Sequence, residues 1–265
     1  MSGLTVITGA AGGMGAEAAR RFAASGPLLL CDVSEAKLSA LLPELAGAGH
    51  RIVAGDLTEP AVLAAIVAAV EANGGLARLI HTAGLSPTMA DARRILDVNL
   101  CASVRLTDAL APLAGEGSAA VLIASVAGHT AASDRDADLD DPLADGALDR
   151  LAAGGDPYAG YGYSKRGVMR LVEARAAAWG KRGARIVSLS PGLIDTPMNA
   201  AEFDAAPVIA QMLAATPVPR MGSAGEIADA IVYLCSPQAS FVTGTDLRVD
   251  GGVVAVMRTD PNFGQ

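Results

Sequence analysis

Aromatic and cysteine residues are scarce in this 265-residue sequence, and each scarcity excludes a class of protein. Phe, Trp and Tyr make up 3% of the chain, so its core has to be built from aliphatic side chains. The three cysteines, Cys31, Cys101 and Cys235, are odd in number and far apart, without a Cys-x-x-Cys pair, and the histidines are scattered. This distribution argues against a zinc site and a disulfide framework, and favours buried, reduced thiols.

Basic residues are also too few for a nucleic-acid partner, which requires a positively charged face. The formal net charge is −8, from 20 Lys and Arg against 28 Asp and Glu. Much of this acidity is local, because eight Asp and only two Arg lie between Ser133 and Pro157. An acidic insertion therefore explains the charge better than an adaptation of the whole protein.

Long apolar runs are missing as well. No stretch of about 18 apolar residues is free of charges or breakers, so neither a transmembrane helix nor a membrane partner is expected. The first apolar run, Leu4 to Ile7, leads straight into a glycine turn and leaves no room for a signal peptide. We expect a cytoplasmic protein.

What is present is an alternation of short β-branched runs with Ala-rich segments of helix length. Strands are predicted at Leu4–Thr8, Leu28–Asp32, Ile52–Ala54, Leu79–Thr82, Ala120–Ala124, Arg185–Ser190 and Asp246–Val249. Helices are predicted at Met14–Ser25, Glu35–Leu45, Glu59–Asn73, Ala90–Leu110, Tyr158–Trp179 and Ala224–Cys235. Several strands are continuous apolar runs, as in sheets covered on both faces. The pattern predicts one α/β domain over residues 1–265, a Rossmann-like doubly wound parallel sheet of about seven strands with helices on both faces.

Residues 133–157 interrupt this alternation. Asp140-Asp141-Pro142 is typical of a helix start and Gly154-Gly155 of a helix stop. Between the start signal and the stop signal, one apolar stripe would be formed by Leu143, Leu148 and Leu151. We predict an inserted helix here.

A glycine-rich turn, Thr8 through Gly15, follows the first strand and opens the first helix. Glycines allow the tight turn and a close approach to a pyrophosphate, which then meets the N–H groups and the positive dipole end of the helix. The position between strand and helix makes the motif far more specific than a string of glycines alone. The predicted cofactor-binding residues of this turn are Gly9, Gly12, Gly13, Met14 and Gly15.

Asp32 ends the second strand and indicates which dinucleotide binds. A carboxylate there can accept hydrogen bonds from the adenosine ribose and would repel a 2′-phosphate. Val33 follows it, with no arginine to neutralise such a phosphate, so we predict NAD rather than NADP. The alternative, in which Asp32 only caps the next turn, stays open.

Two further strand ends lie at the same predicted edge. Asp56 and Leu57 would flank an adenine ring, and Ala83 and Gly84 would leave room for the cofactor backbone. Each loop is generic by itself, and only the common edge of the sheet makes them informative.

Tyr161 and Lys165 stand four residues apart near the start of a long predicted helix, so they share a helix face. A nearby ammonium stabilises a phenolate and lowers its pKa, which makes tyrosine a usable proton donor or acceptor near neutral pH. Tyr163 is a competing phenol, but it faces elsewhere. An isolated Tyr-x-x-x-Lys pair is more often a solvated helix face.

Ser125 and Asn99 complete the candidate chemistry. The Ser125 hydroxyl follows the fifth strand and would hydrogen-bond the substrate oxygen. Asn99 lies within a predicted helix, where asparagine is unfavourable, so it would hold a water or a backbone carbonyl. A polar residue satisfied within the fold is the alternative for each.

Taken together, these residues resemble the short-chain dehydrogenase/reductase family over almost the whole chain. The family's glycine motif is similar to Thr8 through Gly15, and Val249-Asp250-Gly251-Gly252 resembles its C-terminal signature. Its catalytic Asn, Ser, Tyr and Lys correspond to Asn99, Ser125, Tyr161 and Lys165. Its nicotinamide-side residues correspond to Pro191, Gly192, Ile194 and Thr196.

The resemblance implies a role for each catalytic residue. Tyr161 would be the general acid and base, and Ser125 would position the substrate oxygen. Lys165 would lower the tyrosine pKa and bind the nicotinamide ribose together with Tyr161, while Asn99 would hold a water. The implied function is an NAD-dependent interconversion of a secondary alcohol and a ketone.

Two departures from the family pattern concern specificity. The family's Asn-Asn-Ala-Gly stretch is replaced here by His81-Thr82-Ala83-Gly84, which leaves the cofactor contacts of this loop open. We interpret His81 as a packed or capping histidine and not as a second acid. The insertion lengthens the segment between Ser125 and Tyr161, which resembles the bacterial 3α-hydroxysteroid dehydrogenase/carbonyl reductase branch and suggests a bulky apolar substrate such as a steroid. In that branch the insertion is associated with altered subunit packing, because it lies beside helices that many relatives use to dimerise; a homo-oligomer is expected, a dimer in preference to a tetramer. The alternatives are that the inserted leucines line a substrate lid or pack against the body of the domain.

A substrate lid is expected at about residues 197–217. Its apolar residues would cover a hydrophobic substrate or pack against the sheet: Met198, Phe203, Val208, Ile209, Met212 and Leu213. Two other functions stay open, a catalytically idle NAD-binding sensor or scaffold, and an isomerase or dehydratase. The intact catalytic set argues against the first, and the lack of a sugar-nucleotide domain weakens the second.

Overall fold

A computed structural model of the protein describes residues 3–196 and 207–260. Within these ranges the strands are β1 Leu4–Thr8, β2 Leu28–Asp32, β3 Arg51–Ala54, β4 Leu76–His81, β5 Ala114–Ile123, β6 Arg185–Pro191, β7 Ile194–Asp195, β8 Gly222–Ser223 and β9 Asp246–Val249. The helices are α1 Gly13–Phe22, α2 Glu35–Leu41, α3 Pro60–Ala72, α4 Ala92–Leu96, α5 Ala102–Leu110, α6 Val126–Thr130, α7 Asp136–Asp140, α8 Ala147–Leu151, α9 Pro157–Gly180, α10 Pro207–Ala215, α11 Ala224–Leu234 and α12 Val253–Thr259.

Seven strands form one parallel sheet in the order β3-β2-β1-β4-β5-β6-β9. This confirms the predicted doubly wound α/β domain. The strand order reverses between β1 and β4, and in such sheets a crevice for ligands opens at the carboxyl ends of the strands on either side of that point. β7 and β8 form a separate two-stranded parallel ribbon beyond the end of β6.

The apolar core lies on both faces of the sheet, which explains the strands without alternation. Leu79 packs on the face covered by α3, α5 and α9, whereas its neighbour Ile80 packs on the face covered by α1 and α11. Both side chains are 0% exposed. Among the described residues, no helix is both long enough and apolar enough to cross a membrane.

The helix predicted at Ala90–Leu110 is not continuous. A π-helical turn, Asp97–Cys101, separates α4 from α5 and has Asn99 at its centre. The wider turn aims the Asn99 side chain at the backbone of Leu85, as π-turns inserted in helices often do at functional positions.

The prediction of one inserted helix is wrong, because the insertion contains two short helices, α7 and α8. Asp140 ends α7, and Asp141, which precedes Pro142 and has a non-helical backbone (φ −136°, ψ 72°), does not continue it. The expected leucine stripe is also incomplete: Leu143 is 43% exposed, whereas Leu151 is buried beside Leu139. The apolar contacts of the insertion therefore come partly from α7.

The insertion is held against α9 by charged side chains. The Asp136 carboxylate accepts hydrogen bonds from Arg166 Nε at 2.6 Å and from Arg170 at 3.0 Å. Arg170 Nε also donates to Asp140 at 2.6 Å. Charged pairs with such paired donors are stronger than isolated surface pairs, so this face of α9 is covered by its own chain.

Candidate active site

The glycine turn packs against the loop that follows β4. Gly9 has φ +66°, and a Cβ added to it would lie 2.6 Å from the backbone nitrogen of Ala83. A Cβ on Gly15 would lie 2.2 Å from the Gly9 carbonyl oxygen. Both contacts are too short for any other residue. α1 begins at Gly13 and has no acidic residue in its first turn, so its N–H groups and dipole are available to a phosphate.

A cavity of about 300 Å³ lies on the β2–β3 side of this turn. Seven predicted cofactor residues line it: Gly9, Gly12, Asp32, Asp56, Leu57, Ala83 and Gly84. Asp32 accepts hydrogen bonds from the Ala11 and Ser34 amides, both at 3.1 Å. It therefore caps both neighbouring turns, and each carboxylate oxygen keeps a further acceptor site. The glycine cradle, the helix N-terminus and this carboxylate fit an adenosine diphosphate group.

The residues that line the same cavity and were missed from the sequence include Lys37, Met89, Arg94 and Val98. Arg94 pairs with Asp56 and also donates to Thr58 Oγ1 at 3.1 Å. Burial raises the pKa of Asp56, but the hydrogen bonds from Thr58 and Arg94 outweigh it and hold the pKa below its usual value. Arg94 is far from Asp56 in sequence, so only the fold brings the two together.

A second cleft, of about 180 Å³, opens at the carboxyl ends of β4, β5 and β6. Three of the predicted catalytic residues line it, namely Ser125, Tyr161 and Lys165. Six predicted cofactor residues border it as well: Met14, Gly84, Pro191, Gly192, Ile194 and Thr196. Residues from five separate parts of the chain thus meet at one place.

Lys165 lies beneath this cleft, buried at 6% exposure. Its Nζ donates to the Ile123 carbonyl oxygen at 2.9 Å and lies 5.7 Å from the centre of the Tyr161 ring. Burial lowers the pKa of Lys165 from 10.5 to about 8, so the side chain is still predominantly cationic at pH 7. A desolvated cation beside the phenol is the arrangement that favours phenolate.

Ser125 is fixed by the short helix that follows it. It is the N-cap of α6, and its Oγ accepts a hydrogen bond from the Ala127 amide at 3.2 Å. α6 approaches α9 closely, because a Cβ on Gly128 would lie 2.7 Å from the Arg166 backbone nitrogen. The hydroxyl of Ser125 and the Tyr161–Lys165 helix are therefore held in register by backbone contact.

Asn99 is buried, and it is not one of the described residues that line the two cavities. Its Oδ1 accepts from the Leu85 amide at 2.7 Å, and its Nδ2 donates to the Leu85 carbonyl at 2.9 Å. A Cβ on Gly84 would lie 3.2 Å from Oδ1, so the amide packs directly under the loop after β4. Asn99 fixes this loop; the water that it was expected to hold stays a prediction.

Comparisons with known proteins agree with this geometry. The family model described as short chain dehydrogenase matches residues 4–135, and the one described as Enoyl-(Acyl carrier protein) reductase matches residues 149–254. A short-chain dehydrogenase/reductase, bsc3, of Alternaria brassicicola is 32% identical over 98% of this chain and 99% of its own. The chain belongs to the short-chain dehydrogenase/reductase family. It is an oxidoreductase that acts on CH–OH groups and takes a nicotinamide dinucleotide.

Two hydroxysteroid enzymes are among the relatives of this short-chain dehydrogenase. The 3-alpha-hydroxysteroid dehydrogenase/carbonyl reductase of Comamonas testosteroni is 32% identical, covering 81% of this chain and 91% of its own. The structure of the 3-alpha-hydroxysteroid dehydrogenase from Pseudomonas sp. B-0831 complexed with NADH superimposes with a TM-score of 0.81 at 29% identity, covering 97% and 99% of the two chains. The resemblance to this branch is confirmed.

His81 is a packed residue in this short-chain dehydrogenase. It is 3% exposed, with ring nitrogens 2.7 Å from Thr8 Oγ1 and 2.7 Å from Ser103 Oγ. Burial, aided by the charge of Lys165, lowers the pKa of His81 to about 3, so the ring is neutral at pH 7. Tyr163, the competing phenol, donates instead to Asp134 in the insertion at 3.0 Å.

The catalytic cleft of this dehydrogenase has mainly apolar walls, which the sequence did not single out apart from Met212. They are formed by Leu85, Pro87, Val126, Ala127, Leu193 and Met212. Of the lid expected at about 197–217, residues 197–206, with Met198 and Phe203, lie outside the described residues. The described part contains α10, which contributes Met212 to the cleft.

Proposed function

We propose that this enzyme is an NAD-dependent dehydrogenase and reductase that interconverts a secondary alcohol and a ketone on a bulky apolar substrate of the hydroxysteroid type. The observation that carries the proposal is the meeting of Ser125, Tyr161 and Lys165 at one apolar cleft beside the dinucleotide cradle. Among the described residues that line this cleft, Lys165 and Tyr161 are the ionisable ones, so a neutral substrate fits it best.

In the proposed mechanism the protein positions the substrate and moves one proton. Ser125 Oγ and Tyr161 Oη hydrogen-bond the substrate oxygen, and Tyr161 takes its proton during oxidation or returns it during reduction. The Lys165 ammonium stabilises the phenolate. A bound nicotinamide dinucleotide would supply the hydride acceptor for oxidation and the hydride donor for reduction. The loop fixed by Asn99 and the apolar walls keep the reacting carbon in place and exclude water.

A substrate panel tests this proposal. The protein is mixed with NAD⁺ and a set of 3-hydroxysteroids and simple cyclic alcohols, and NADH absorbance is followed. We expect turnover on at least one bulky alicyclic alcohol, with a lower KM for the larger members. Tight NAD binding without turnover on any of them would favour a sensor or scaffold.

We expect Asp32→Ala to weaken NAD binding and to relieve the rejection of NADP. Removing a charged hydrogen-bond acceptor costs about 1.5–3 kcal/mol, which corresponds to a Kd for NAD raised about ten- to a hundredfold. NADP should bind more tightly than to the parent protein, because Lys37 in the same cavity then faces the 2′-phosphate without a competing carboxylate. Both affinities are measured by fluorescence titration.

The matched control for this change is Glu35→Ala, which removes an exposed carboxylate close by in sequence that does not line the cavity. Asp32→Asn should fall between, because it keeps one acceptor oxygen for the loop amides. If the affinities of Asp32→Ala for NAD and for NADP equal those of the Glu35→Ala control, Asp32 does not recognise the adenosine ribose.

We further propose a homo-oligomer, with a dimer favoured over a tetramer. α7 covers the face of α9 formed by Arg166 and Arg170, so this face is unavailable to a second copy of the chain. Light scattering after size exclusion is expected to give twice the monomer mass. A monomer at micromolar concentration would contradict this part of the proposal.

A further inference from the structure

A largely buried polar cluster lies at the end of α6, the short helix whose N-cap is Ser125, and has no part in the chemistry described above. His129, on the last turn of α6, places its Nε2 2.9 Å from Asp246 Oδ2 and 3.2 Å from Ser190 Oγ. Asp246 Oδ1 accepts hydrogen bonds from Ser188 at 2.7 Å and Ser190 at 3.0 Å. The side chains of His129 and Asp246 are each 12% exposed.

The cluster also reaches the last helix. Arg258, on α12, places Nη2 3.3 Å from His129 Nδ1. Because the guanidinium can only donate, Nδ1 is the acceptor and the ring proton sits on Nε2, where it faces the Asp246 carboxylate. One histidine therefore bridges a cation on α12 and an anion on β9.

Two of the elements that the cluster joins, α6 and β6, contribute residues to the catalytic cleft. α6 begins at its N-cap Ser125, and Ser190 immediately precedes Pro191 and Gly192 of the cleft. A small apolar cluster continues the same connection, in which Val126 of α6 packs with Val253 and Val254 of α12 and with Met212 of α10. The polar contacts therefore sit at the junction of the serine, the nicotinamide-side loop and the substrate wall.

We propose that His129 is a positioning residue, which fixes α6 through Asp246 and Arg258 and thereby holds Ser125 and Val126 at the cleft. The inference rests on the proposed function, since Ser125 is the group it is meant to position. α6 has only five residues and cannot hold its own orientation without tertiary contacts. Gly128 restrains one side of it against α9, and His129 ties its last turn to the sheet.

The test compares His129→Phe, which keeps a ring but removes both hydrogen bonds, with His129→Gln, which can still donate to Asp246. His129→Phe is expected to lower kcat about tenfold while KM for NAD changes less than about twofold, because a small misplacement of Ser125 affects the reaction and not cofactor binding. His129→Gln should recover most of kcat. Hydrogen exchange of residues 126–131 should be faster in His129→Phe and close to the parent in His129→Gln.

The matched control is His50→Phe. His50 also bridges two segments, since Nδ1 accepts from the Leu28 amide at 3.2 Å and Nε2 lies 2.9 Å from the Ala46 carbonyl, but it is remote from the cleft. It should lose stability without the kcat effect. Parent-like kcat and parent-like exchange in His129→Phe would overturn the inference. If the parent protein turns over no alcohol, the proposed function fails, and the exchange measurement then decides the inference by itself.

Discussion

Tyr161→Phe is expected to lower kcat about a thousandfold, because general acid–base catalysis by a positioned side chain contributes about 10²–10⁴-fold. The change removes one hydroxyl and keeps the ring that lies 5.7 Å from Lys165 Nζ. NAD binding should change little, since most of the predicted dinucleotide contacts belong to the glycine turn and the strand ends. Steady-state kinetics and a fluorescence titration of the cofactor measure the two quantities.

The control for this prediction is the other phenol of the same helix. Tyr163 donates to Asp134 on the surface, so Tyr163→Phe removes an equivalent hydroxyl two residues away. We expect its kcat to stay within about twofold of the parent, since exposed contacts of this kind contribute little. Equal losses in both variants would mean that Tyr161 acts through folding and not through its proton.

Lys165→Met is expected to lower the activity of the enzyme and to raise its stability. Turnover should fall about a hundredfold or more, because the phenolate loses its stabilising cation. The free energy of unfolding at pH 7 should rise by about 1–3 kcal/mol. A pKa lowered to about 8 by burial corresponds to ~3 kcal/mol of destabilisation of the charged lysine, and the lost hydrogen bond to Ile123 offsets part of the gain.

This gain in stability depends on pH in a defined direction. Below pH 8 the lysine is protonated in both folded and unfolded chains, so the penalty is fully present. Between pH 8 and 10.5 the folded protein has lost the proton while the unfolded chain retains it, so the parent gains stability as pH rises. The advantage of Lys165→Met should therefore shrink across this window.

Denaturant melts at pH 7 and pH 10 measure the effect, with Lys181→Met as the control because Lys181 is exposed. That variant should stay within about 0.5 kcal/mol of the parent. A Lys165→Met protein that is less stable than the parent at pH 7 would show that the hydrogen bond to Ile123 outweighs the cost of burying the charge.

The fold could be predicted from the sequence because its signals are local and mutually consistent. Leu28–Asp32 reads as a strand buried on both faces, and burial there is nearly complete. The glycine turn also has local requirements, since Gly9 has φ +66° and a Cβ on Gly15 would meet the Gly9 carbonyl oxygen within the same strand–turn–helix unit. Such features need no knowledge of distant residues.

The errors arise where tertiary contacts decide the local structure. The π-turn around Asn99 depends on the Leu85 backbone, which the helical pattern of Ala90–Leu110 does not contain. In the insertion, Pro142 is compatible with two outcomes: a helix that begins at Pro142, or a helix that ends before it. The Asp136 and Asp140 contacts with α9 accompany the second outcome, with α7 ending at Asp140.

The residues missed at the site share one physical reason. Lys37, Arg94 and His129 act across the fold, on partners or cavities formed by other elements, and no spacing along the chain marks them. Tyr161 and Lys165, in contrast, belong to one helical turn and were found from sequence. Catalytic residues within one helical turn can thus be predicted from the sequence, whereas residues that are brought together only by the fold cannot.

Hydride transfer from the substrate carbon to the cofactor, with Tyr161 as the proton acceptor, can be followed by isotope labelling. The protein is incubated with NAD⁺ and the same panel of cyclic and steroid alcohols, each with deuterium on the carbinol carbon, and the cofactor is analysed by mass spectrometry. We expect reduced cofactor that carries one deuterium, formed by the parent and by Tyr163→Phe but nearly absent with Tyr161→Phe. Reduced cofactor without deuterium, or equal labelling by Tyr161→Phe, would contradict this mechanism.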